Sequence, residues 1–227
     1  MDVFGKALKD FYHSQKAGKL WLHNNYGKPE DMPVQVFFRL ETNLSELDKH
    51  ALNLCTGNIL DIGAGVGAHS LILQARGLST TALEISESAC DIMKLRRVRQ
   101  VVNENIFSYS TSGYDTILML MNGIGLCGDI KGLNKMLPHL KKLMKPQGQI
   151  ILDSSDISYL YDRGNFPKDN YYGEILYQYE YQGIKGHWFK WLYIDYEYLK
   201  STAESHSLSC ELLYEDDMDQ FLVRLTL

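Results

Sequence analysis

One glycine-rich turn restricts the fold of this chain more than any other feature. Residues 60–67 read Leu-Asp-Ile-Gly-Ala-Gly-Val-Gly. They overlap the apolar run 59–62, which is typical of a buried strand, and precede a helical pattern at 68–76 that Gly77 closes. Glycines at such a junction let a ligand approach the backbone, and the unpaired N–H groups at the helix start attract negative charge. The turn therefore predicts a strand, a ligand-binding loop and a helix in immediate succession.

The rest of the chain alternates short apolar runs with helical stretches, the pattern of βαβ units around a parallel sheet. Further strands are expected at 79–85, 98–102, 116–121, 149–153 (after a turn at 146–148), 209–214 and 221–227. Helices are expected at 87–97 with Ser86 as N-cap, at 133–144, and after Asp195, a second N-cap, to about 205. We predict an α/β fold: a doubly wound, seven-stranded, mostly parallel sheet with a C-terminal antiparallel strand pair.

A length of 227 residues suits one domain with additions at its edges. Within a single domain at 1–227 we expect an N-terminal cap segment at 1–40, helical near 4–14, a ligand-binding core at 58–153, an inserted aromatic β-hairpin at 173–194, and a closing helix and strands at 195–227. The hairpin follows from alternating aromatic residues on two runs with Gly183 and Gly186 between them.

Composition excludes several classes of function. The formal net charge of −5 argues against nucleic acid as a partner, and the basic cluster at 94–99 is typical of a solvated helix end. The four cysteines are widely separated, so we expect neither disulfides nor a metal site. No apolar run approaches the length of a membrane span, and the N-terminus lacks the apolar block of a signal peptide, so we predict a cytoplasmic protein without membrane contact.

Two acidic residues flank the glycine-rich turn in the predicted sheet. Asp61 lies two residues before the first glycine, where it suits a cationic ammonium group. Glu84 ends the second strand, where a carboxylate suits two ribose hydroxyls. A glycine-rich turn with an acidic residue after the second strand also fits a nicotinamide-dependent oxidoreductase, so that alternative stays open.

In motif order over 58–153, and in its terminal strands, the chain resembles the class I S-adenosylmethionine-dependent methyltransferases, which have a Rossmann-like fold. The resemblance implies S-adenosylmethionine as cofactor. It implies that Asp61 and the turn backbone hold the methionine part, that Glu84 holds the ribose and that Ile85 packs on the adenine. Asn105 stands where the family commonly has an acidic residue for the adenine amino group. The full set of cofactor residues expected from the resemblance is Asp61, Gly63, Ala64, Gly65, Gly67, Glu84, Ile85, Asn105, Ile106, Met121 and Asn122.

The sequence does not identify a catalytic base or the methyl acceptor. Candidates for orienting or deprotonating an acceptor are His23, Tyr26, Asp153 and His187, with Asp156, Tyr171 and Tyr172 beside them. Asp156 equally suits an N-cap for a short helix at 157–160. The aromatic hairpin suits either an acceptor pocket or a homodimer contact, and both interpretations stay open.

We therefore predict methyl transfer to the oxygen, nitrogen or carbon of a small molecule. One alternative is a non-catalytic module that binds S-adenosylmethionine or S-adenosylhomocysteine and engages a protein partner; the other is an NAD-dependent oxidoreductase. The Asn-Pro-Pro-Tyr pattern of enzymes that methylate base amino groups is absent after the fourth strand, where the chain reads Met-Asn-Gly-Ile.

Overall fold

The N-terminal segment forms a helix and two strands. The computed structural model describes residues 2–16, 18–161 and 165–227. Helix α1 (Val3–Ser14) begins at Asp2, whose carboxylate accepts a hydrogen bond from the backbone N–H of Gly5 at 2.7 Å. Strands β1 (Leu20–Asn24) and β2 (Glu30–Met32) follow, then two 3-10 turns at Val34–Phe38 and Glu41–Asn43. The predicted helix is confirmed, whereas the two short strands were not predicted.

The core begins with helix α2 (Glu46–Leu54), which Ser45 and Asp48 start with a reciprocal capping box. Strands and helices then alternate as the sequence predicts: β3 (Asn58–Ile62), α3 (Ala68–Ala75), β4 (Ser79–Glu84), α4 (Glu87–Leu95), β5 (Gln100–Asn103), β6 (Tyr114–Met119), α5 (Ile130–Leu143) and β7 (Met144–Ser155). Ser86 caps α4 as expected, through its hydroxyl and the N–H of Ala89.

The C-terminal part adds strands on both sides of a last helix. Its elements are β8 (Glu174–Tyr181), β9 (Ile184–Lys185), β10 (Phe189–Leu192), α6 (Tyr196–Ser205), β11 (Ser209–Glu215) and β12 (Gln220–Thr226). Asp195 caps α6 as predicted, because its carboxylate accepts a hydrogen bond from the N–H of Tyr198.

The large sheet has the predicted architecture. Its seven strands lie in the order β11-β12-β7-β6-β3-β4-β5. The strands from β7 to β5 are parallel, and β12 and β11 continue the sheet in antiparallel fashion. The first residues of β7 differ from the prediction: Met144 already pairs with Tyr114, and pairing resumes at Gln149 beside Thr116. The expected turn at 146–148 therefore lies in an irregularity within one long strand.

The predicted aromatic hairpin is confirmed as the antiparallel pair of β8 and β10, and it joins the N-terminal strands in a second sheet. Strand β8 pairs antiparallel with β10 on one side and with β1 on the other, and β2 extends β1, which gives a second, five-stranded sheet that includes β9. A hairpin alone is marginal in water, so β8 uses its second edge to bind β1. Leu20 lies opposite Tyr181, and Asn24 opposite Tyr177.

The basic cluster at 94–99 is not wholly solvated, contrary to the prediction. Arg96 donates a hydrogen bond to the carbonyl oxygen of Val66 at 2.6 Å, and its guanidinium lies 5.4 Å from the ring centroid of Phe38. The Arg96 guanidinium therefore lies next to the glycine-rich turn, where it donates a hydrogen bond to a backbone carbonyl. In the described parts of the chain, helices long and apolar enough for a membrane span are absent.

The 3-10 turn after β6 packs against the second sheet at Gly125, and this contact allows a test of the fold. A Cβ at Gly125, in the 3-10 turn Gly123–Cys127, would overlap the ring of Trp191 on β10. We expect Gly125→Ala to lower the free energy of unfolding by about 1–3 kcal/mol, since overpacking forces neighbouring atoms to move. Urea unfolding measures this. Gly27→Ala is the matched control, because its Cβ meets only Asn24 Oδ1 at 3.8 Å; equal losses in both variants would contradict the expectation.

Candidate cofactor and acceptor site

A cavity of about 1040 Å³ opens between the two sheets. It lies at the carboxyl ends of the parallel strands, where β3 runs between β4 and β6. Ligands of doubly wound sheets bind at such a position, because the loops that follow neighbouring strands diverge there. Its floor is the glycine-rich turn, and its roof includes α1, the turn Val34–Phe38 and the inner face of the second sheet.

The glycine-rich turn is held against the end of β4. Gly63, Gly65 and Gly67 all have positive φ, at 70°, 56° and 79°, a conformation that glycine adopts without strain. The N–H of Gly63 donates to the carbonyl of Leu83 at 2.9 Å, and the N–H of Ala64 donates to the same oxygen at 3.2 Å. All these residues line the cavity except Gly67, whose added Cβ would press on Val98 below.

Asp61 lies at the end of β3 with its side chain in the cavity wall, and it is 3% exposed. Its Oδ2 accepts a hydrogen bond from the hydroxyl of Ser70 at 2.5 Å. Burial raises the pKa of Asp61, against the opposing effects of His69 and Ser70. The carboxylate is therefore desolvated, and a ligand cation would meet it in a low-dielectric environment, where ionic interactions are strong.

Glu84 contacts both the glycine-rich turn and the start of α4. Its Oε2 accepts from the N–H of Gly65 at 2.9 Å, and its Oε1 from the N–H of Ser86 at 2.8 Å. Burial raises the pKa of Glu84, and these backbone donors oppose the shift. Each carboxylate oxygen has a second lone pair, so the group keeps acceptor capacity toward the cavity. The contact with Gly65 was not predicted.

A buried group of three charged or titratable side chains, Arg39, Asp48 and His69, was not predicted from the sequence. Arg39 Nη1 donates to Asp48 Oδ2 at 2.9 Å, and His69 Nε2 lies 3.2 Å from Asp48 Oδ1. Burial raises the pKa of Asp48, but His69 and Arg39 outweigh it and hold the pKa at about 2. Among the described residues, no partner is within reach of Arg39 Nε and Nη2, although both atoms are buried. Arg39, Asp48 and His69 all line the cavity.

The opposite end of the cavity has an apolar rim. Ile85 is 65% exposed and Phe107 is 42% exposed there. The neighbouring Ile106 also lines the cavity but is buried. Asn105 Oδ1 accepts a hydrogen bond from the N–H of Phe107 at 2.9 Å. This amide oxygen, expected to face an adenine amino group, is therefore already engaged in a local turn. Phe107 was not among the predicted residues.

Met121 and Asn122 follow β6 in the left-handed conformation, with φ of 64° and 54°. Asp153 stabilises this loop: its carboxylate accepts from the N–H groups of Asn122 and Gly123, at 3.0 and 3.3 Å, and from Gln220 Nε2 at 2.9 Å. Ser155 fixes the Asn122 amide oxygen at 2.9 Å. Asp153 is fully buried, and its carboxylate positions the loop of Met121 and Asn122.

The second sheet presents an aromatic wall to the cavity. The rings that line it, called the aromatic wall below, belong to Tyr177, Tyr179, Phe189, Trp191 and Tyr193, with Leu22 and Met32 beside them. His187 is exposed and lines the cavity as well.

The other sequence-level candidates lie outside the cavity lining. His23 Nε2 lies 2.7 Å from Glu180. Tyr26 donates its hydroxyl proton to Glu30 at 2.8 Å. Asp156 accepts from the N–H of Ser158 at 2.8 Å, but the short 3-10 helix is Ser158–Leu160 with Ile157 as its N-cap, so the predicted capping by Asp156 is not confirmed. Tyr171 donates its hydroxyl proton to Asp195, and Tyr172 donates its hydroxyl proton to Asp156.

Comparisons with known proteins identify the class. A family model described as a methyltransferase domain matches residues 30–198. The chain is similar to a SAM-dependent methyltransferase from Bacteroides fragilis, solved in complex with S-adenosyl-L-homocysteine, with 38% identity and a TM-score of 0.93 over 100% of this chain and 94% of the other. A comparison with curated proteins finds no match.

Two more distant structures share the fold alone. The CcbJ methyltransferase from Streptomyces caelestis has 12% identity and a TM-score of 0.67 over 99% of this chain and 97% of its own. The sugar N-methyltransferase KedS8 from Streptoalloteichus sp ATCC 53650 has 12% identity and a TM-score of 0.59 over 88% and 96%.

The chain belongs to the S-adenosylmethionine-dependent methyltransferase family. S-adenosylmethionine is its cofactor, as the motif order predicted, and the nicotinamide-dependent alternative is not supported.

The buried carboxylate of Asp153 predicts a pH dependence of stability. Burial raises its pKa to about 6, above the ordinary value of 3.8, so the folded state binds its proton more tightly than the unfolded state. This contribution is fully present below about pH 4 and is lost as the pH rises through 6, a difference of up to about 3 kcal/mol. In urea unfolding, the free energy of unfolding should fall more steeply between about pH 4 and pH 6 for wild type than for Asp153→Asn.

The control for this titration is Asp217→Asn, in the exposed turn between β11 and β12. It should follow the wild-type pH profile. Parallel profiles for wild type and Asp153→Asn would contradict the assignment of this titration to Asp153.

Proposed function

We propose that this methyltransferase acts on the oxygen, nitrogen or carbon of a small molecule held between the glycine-rich turn and the aromatic wall. The observation that carries this proposal is the continuity of one cavity from Asp61 and Glu84 to Tyr193. Its volume of about 1040 Å³ lies at the top of the range of about 300–1,000 Å³ typical for one drug-sized ligand. That space supports a cofactor and a second small molecule together.

S-adenosylmethionine supplies an electrophilic methyl group. The chain itself therefore has to bind the cofactor and the acceptor, align them and exclude water. In this proposal Asp61 binds the ammonium group and Glu84 the ribose hydroxyls. Ile85 and Phe107 pack on the adenine, because they are exposed apolar side chains at the rim of the cavity. The loop of Met121 and Asn122 faces the methionine end.

Arg39 fits the carboxylate of the cofactor's amino-acid part. Its Nε and Nη2 lie on one edge of the guanidinium plane, the edge that binds both oxygens of a carboxylate. A buried donor without a partner costs about 1–3 kcal/mol, and a carboxylate would satisfy two such donors at once. Nη1 is held by Asp48, which fixes the orientation of the plane. Arg39 and Asp61 then provide opposite charges for a zwitterion.

Two ligands separate this role of Arg39 from a general effect on folding. S-adenosylhomocysteine carries the amino-acid part, and 5′-methylthioadenosine lacks it. We expect Arg39→Met to weaken binding of S-adenosylhomocysteine by about 10- to 150-fold, the loss of a charge-assisted pair worth about 1.5–3 kcal/mol. Binding of 5′-methylthioadenosine should stay unchanged. Isothermal titration calorimetry of both ligands measures this.

Asp61→Asn should show the same selectivity as Arg39→Met, whereas Glu84→Gln should weaken both ligands because both contain the ribose. Arg224→Met is the matched control, since Arg224 pairs with Glu211 on the C-terminal strands. Equal losses for both ligands in Arg39→Met would contradict the carboxylate role. An absence of binding of either ligand to wild type would overturn the site as a whole.

A further inference from the structure

Three tyrosine hydroxyls form a chain from the cavity to the surface. Tyr193 Oη lies 3.3 Å from Tyr177 Oη, and Tyr177 Oη lies 3.1 Å from Tyr26 Oη. Tyr26 donates to Glu30 Oε1 at 2.8 Å. Tyr193 and Tyr177 line the cavity, and Glu30 is exposed. The four side chains, called the tyrosine chain below, therefore connect the acceptor side of the site with solvent.

Glu30 sets the direction of every hydrogen bond in the tyrosine chain. An ionised carboxylate only accepts, so Tyr26 must donate its proton to Glu30. The Tyr26 oxygen then accepts from Tyr177, and the Tyr177 oxygen accepts from Tyr193. A lone pair of Tyr193 Oη is left over at the cavity end. Tyr193 therefore presents to the cavity an acceptor for an O–H or N–H of the ligand, not a donor.

The surroundings of that lone pair restrict the ligand further. Aromatic rings dominate the wall around Tyr193. Among the described residues, the second sheet adds no carboxylate, lysine or arginine to the lining, and the exposed His187 lies between β9 and β10. A flat neutral molecule would pack on the rings, whereas an anionic acceptor would find no lysine or arginine among the described residues of this wall. A hydroxyl acceptor needs a route for its proton, because its oxygen becomes strongly acidic as it gains a methyl group.

From these observations, and resting on the proposed function, we infer that the acceptor is a neutral aromatic hydroxyl compound whose proton leaves through the tyrosine chain. The acceptor oxygen forms a bond to the methyl carbon while the carbon–sulfur bond breaks, and that electron pair stays on sulfur. The acceptor proton moves to Tyr193, and each hydroxyl passes its own proton onward until Glu30 holds one. The products are a methyl ether, the thioether S-adenosylhomocysteine and a proton released to solvent.

The geometry and acidity of the phenols suit this transfer. The links of 3.1 and 3.3 Å exceed the 2.7–2.8 Å common for hydroxyl pairs, and catalytic hydrogen bonds are often long before substrate binds. Burial raises the pKa of Tyr26, Tyr177 and Tyr193. A free phenolate is therefore disfavoured at each position, and the protons must move in concert.

A binding experiment tests the direction of the chain without turnover. Phenol and its methyl ether anisole are titrated into the complex with S-adenosylhomocysteine and followed by NMR. We expect wild type to prefer phenol by about 3- to 10-fold, the contribution of one neutral hydrogen bond. Tyr193→Phe should bind the two compounds alike. Equal binding of phenol and anisole to wild type would overturn the inference.

Kinetics test the proton transfer with two neutral acceptors: phenol, which loses a proton when its oxygen is methylated, and N,N-dimethylaniline, which has no proton to lose. Tyr26 lies outside the cavity lining, so Tyr26→Phe cuts the chain without altering the pocket. We expect kcat for phenol to fall by about 10²–10⁴-fold with KM unchanged, and kcat for N,N-dimethylaniline to stay the same. Glu30→Gln keeps an accepting oxygen but cannot take the proton, so it should show the same pattern.

Other outcomes separate this inference from the proposed function. A merely structural role of Tyr26 would lower both rates equally and would overturn the proton transfer. Tyr198→Phe, on α6 outside the cavity lining, is the matched control and should change neither rate. If S-adenosylhomocysteine binds and amines or thiols are methylated while phenols are not, the proposed function stands and this inference fails. If S-adenosylhomocysteine does not bind, the cofactor site fails first.

Discussion

The structure depends on one junction, at which the glycine-rich turn folds back onto the end of β4. The N–H groups of Gly63 and Ala64 bind the carbonyl of Leu83, and that of Gly65 binds the carboxylate of Glu84. Gly63 and Gly65 have positive φ angles, at which side chains would be strained, so glycine suits both positions of the turn. The floor of the cavity is therefore rigid backbone, with each N–H directed by a neighbouring strand.

Glu84 connects this junction to ligand binding. The same carboxylate that holds Gly65 and Ser86 lines the cavity. A ligand hydroxyl that donates to Glu84 therefore binds a group whose position the turn already fixes, and little side-chain entropy remains to be lost. The arrangement also means that substitutions at Glu84 act on turn geometry and on binding together. Asp61 and Arg39 are simpler in this respect, because their partners are side chains.

Local signals made the large sheet and its caps predictable. Alternating runs, the glycine-rich turn and the N-caps Ser86 and Asp195 all act within a few residues of sequence, and the structure confirms them. The second sheet could not be predicted, because β1 and β8 pair across about 150 residues and β1 has only five. Non-local pairing of short strands leaves no periodic pattern to detect.

In the candidate site, too, the residues set by local sequence were predicted and those set by distant contacts were not. Asp61, Glu84 and the glycines were predicted as a group, whereas the roles of Arg39 and Asp153 depend on tertiary contacts. Arg39 follows the turn Val34–Phe38, and only its approach to Asp48 reveals buried donors. Asp153 was predicted as a candidate base, but the loop after β6 folds over it and uses its oxygens. Partners from distant elements decide such roles.

The proposed site separates charge in a way that suits methyl transfer. Charged side chains, Asp61, Glu84 and Arg39, lie on the cofactor side, and neutral rings form the aromatic wall. A carboxylate on the acceptor side would compete as a nucleophile, whereas ring faces stabilise a nearby cation without a reactive lone pair. The wall's tyrosines are far weaker nucleophiles as phenols than as phenolates, and burial raises the pKa of Tyr177, Tyr179 and Tyr193. Burial thus keeps these hydroxyls in the protonated and less nucleophilic form.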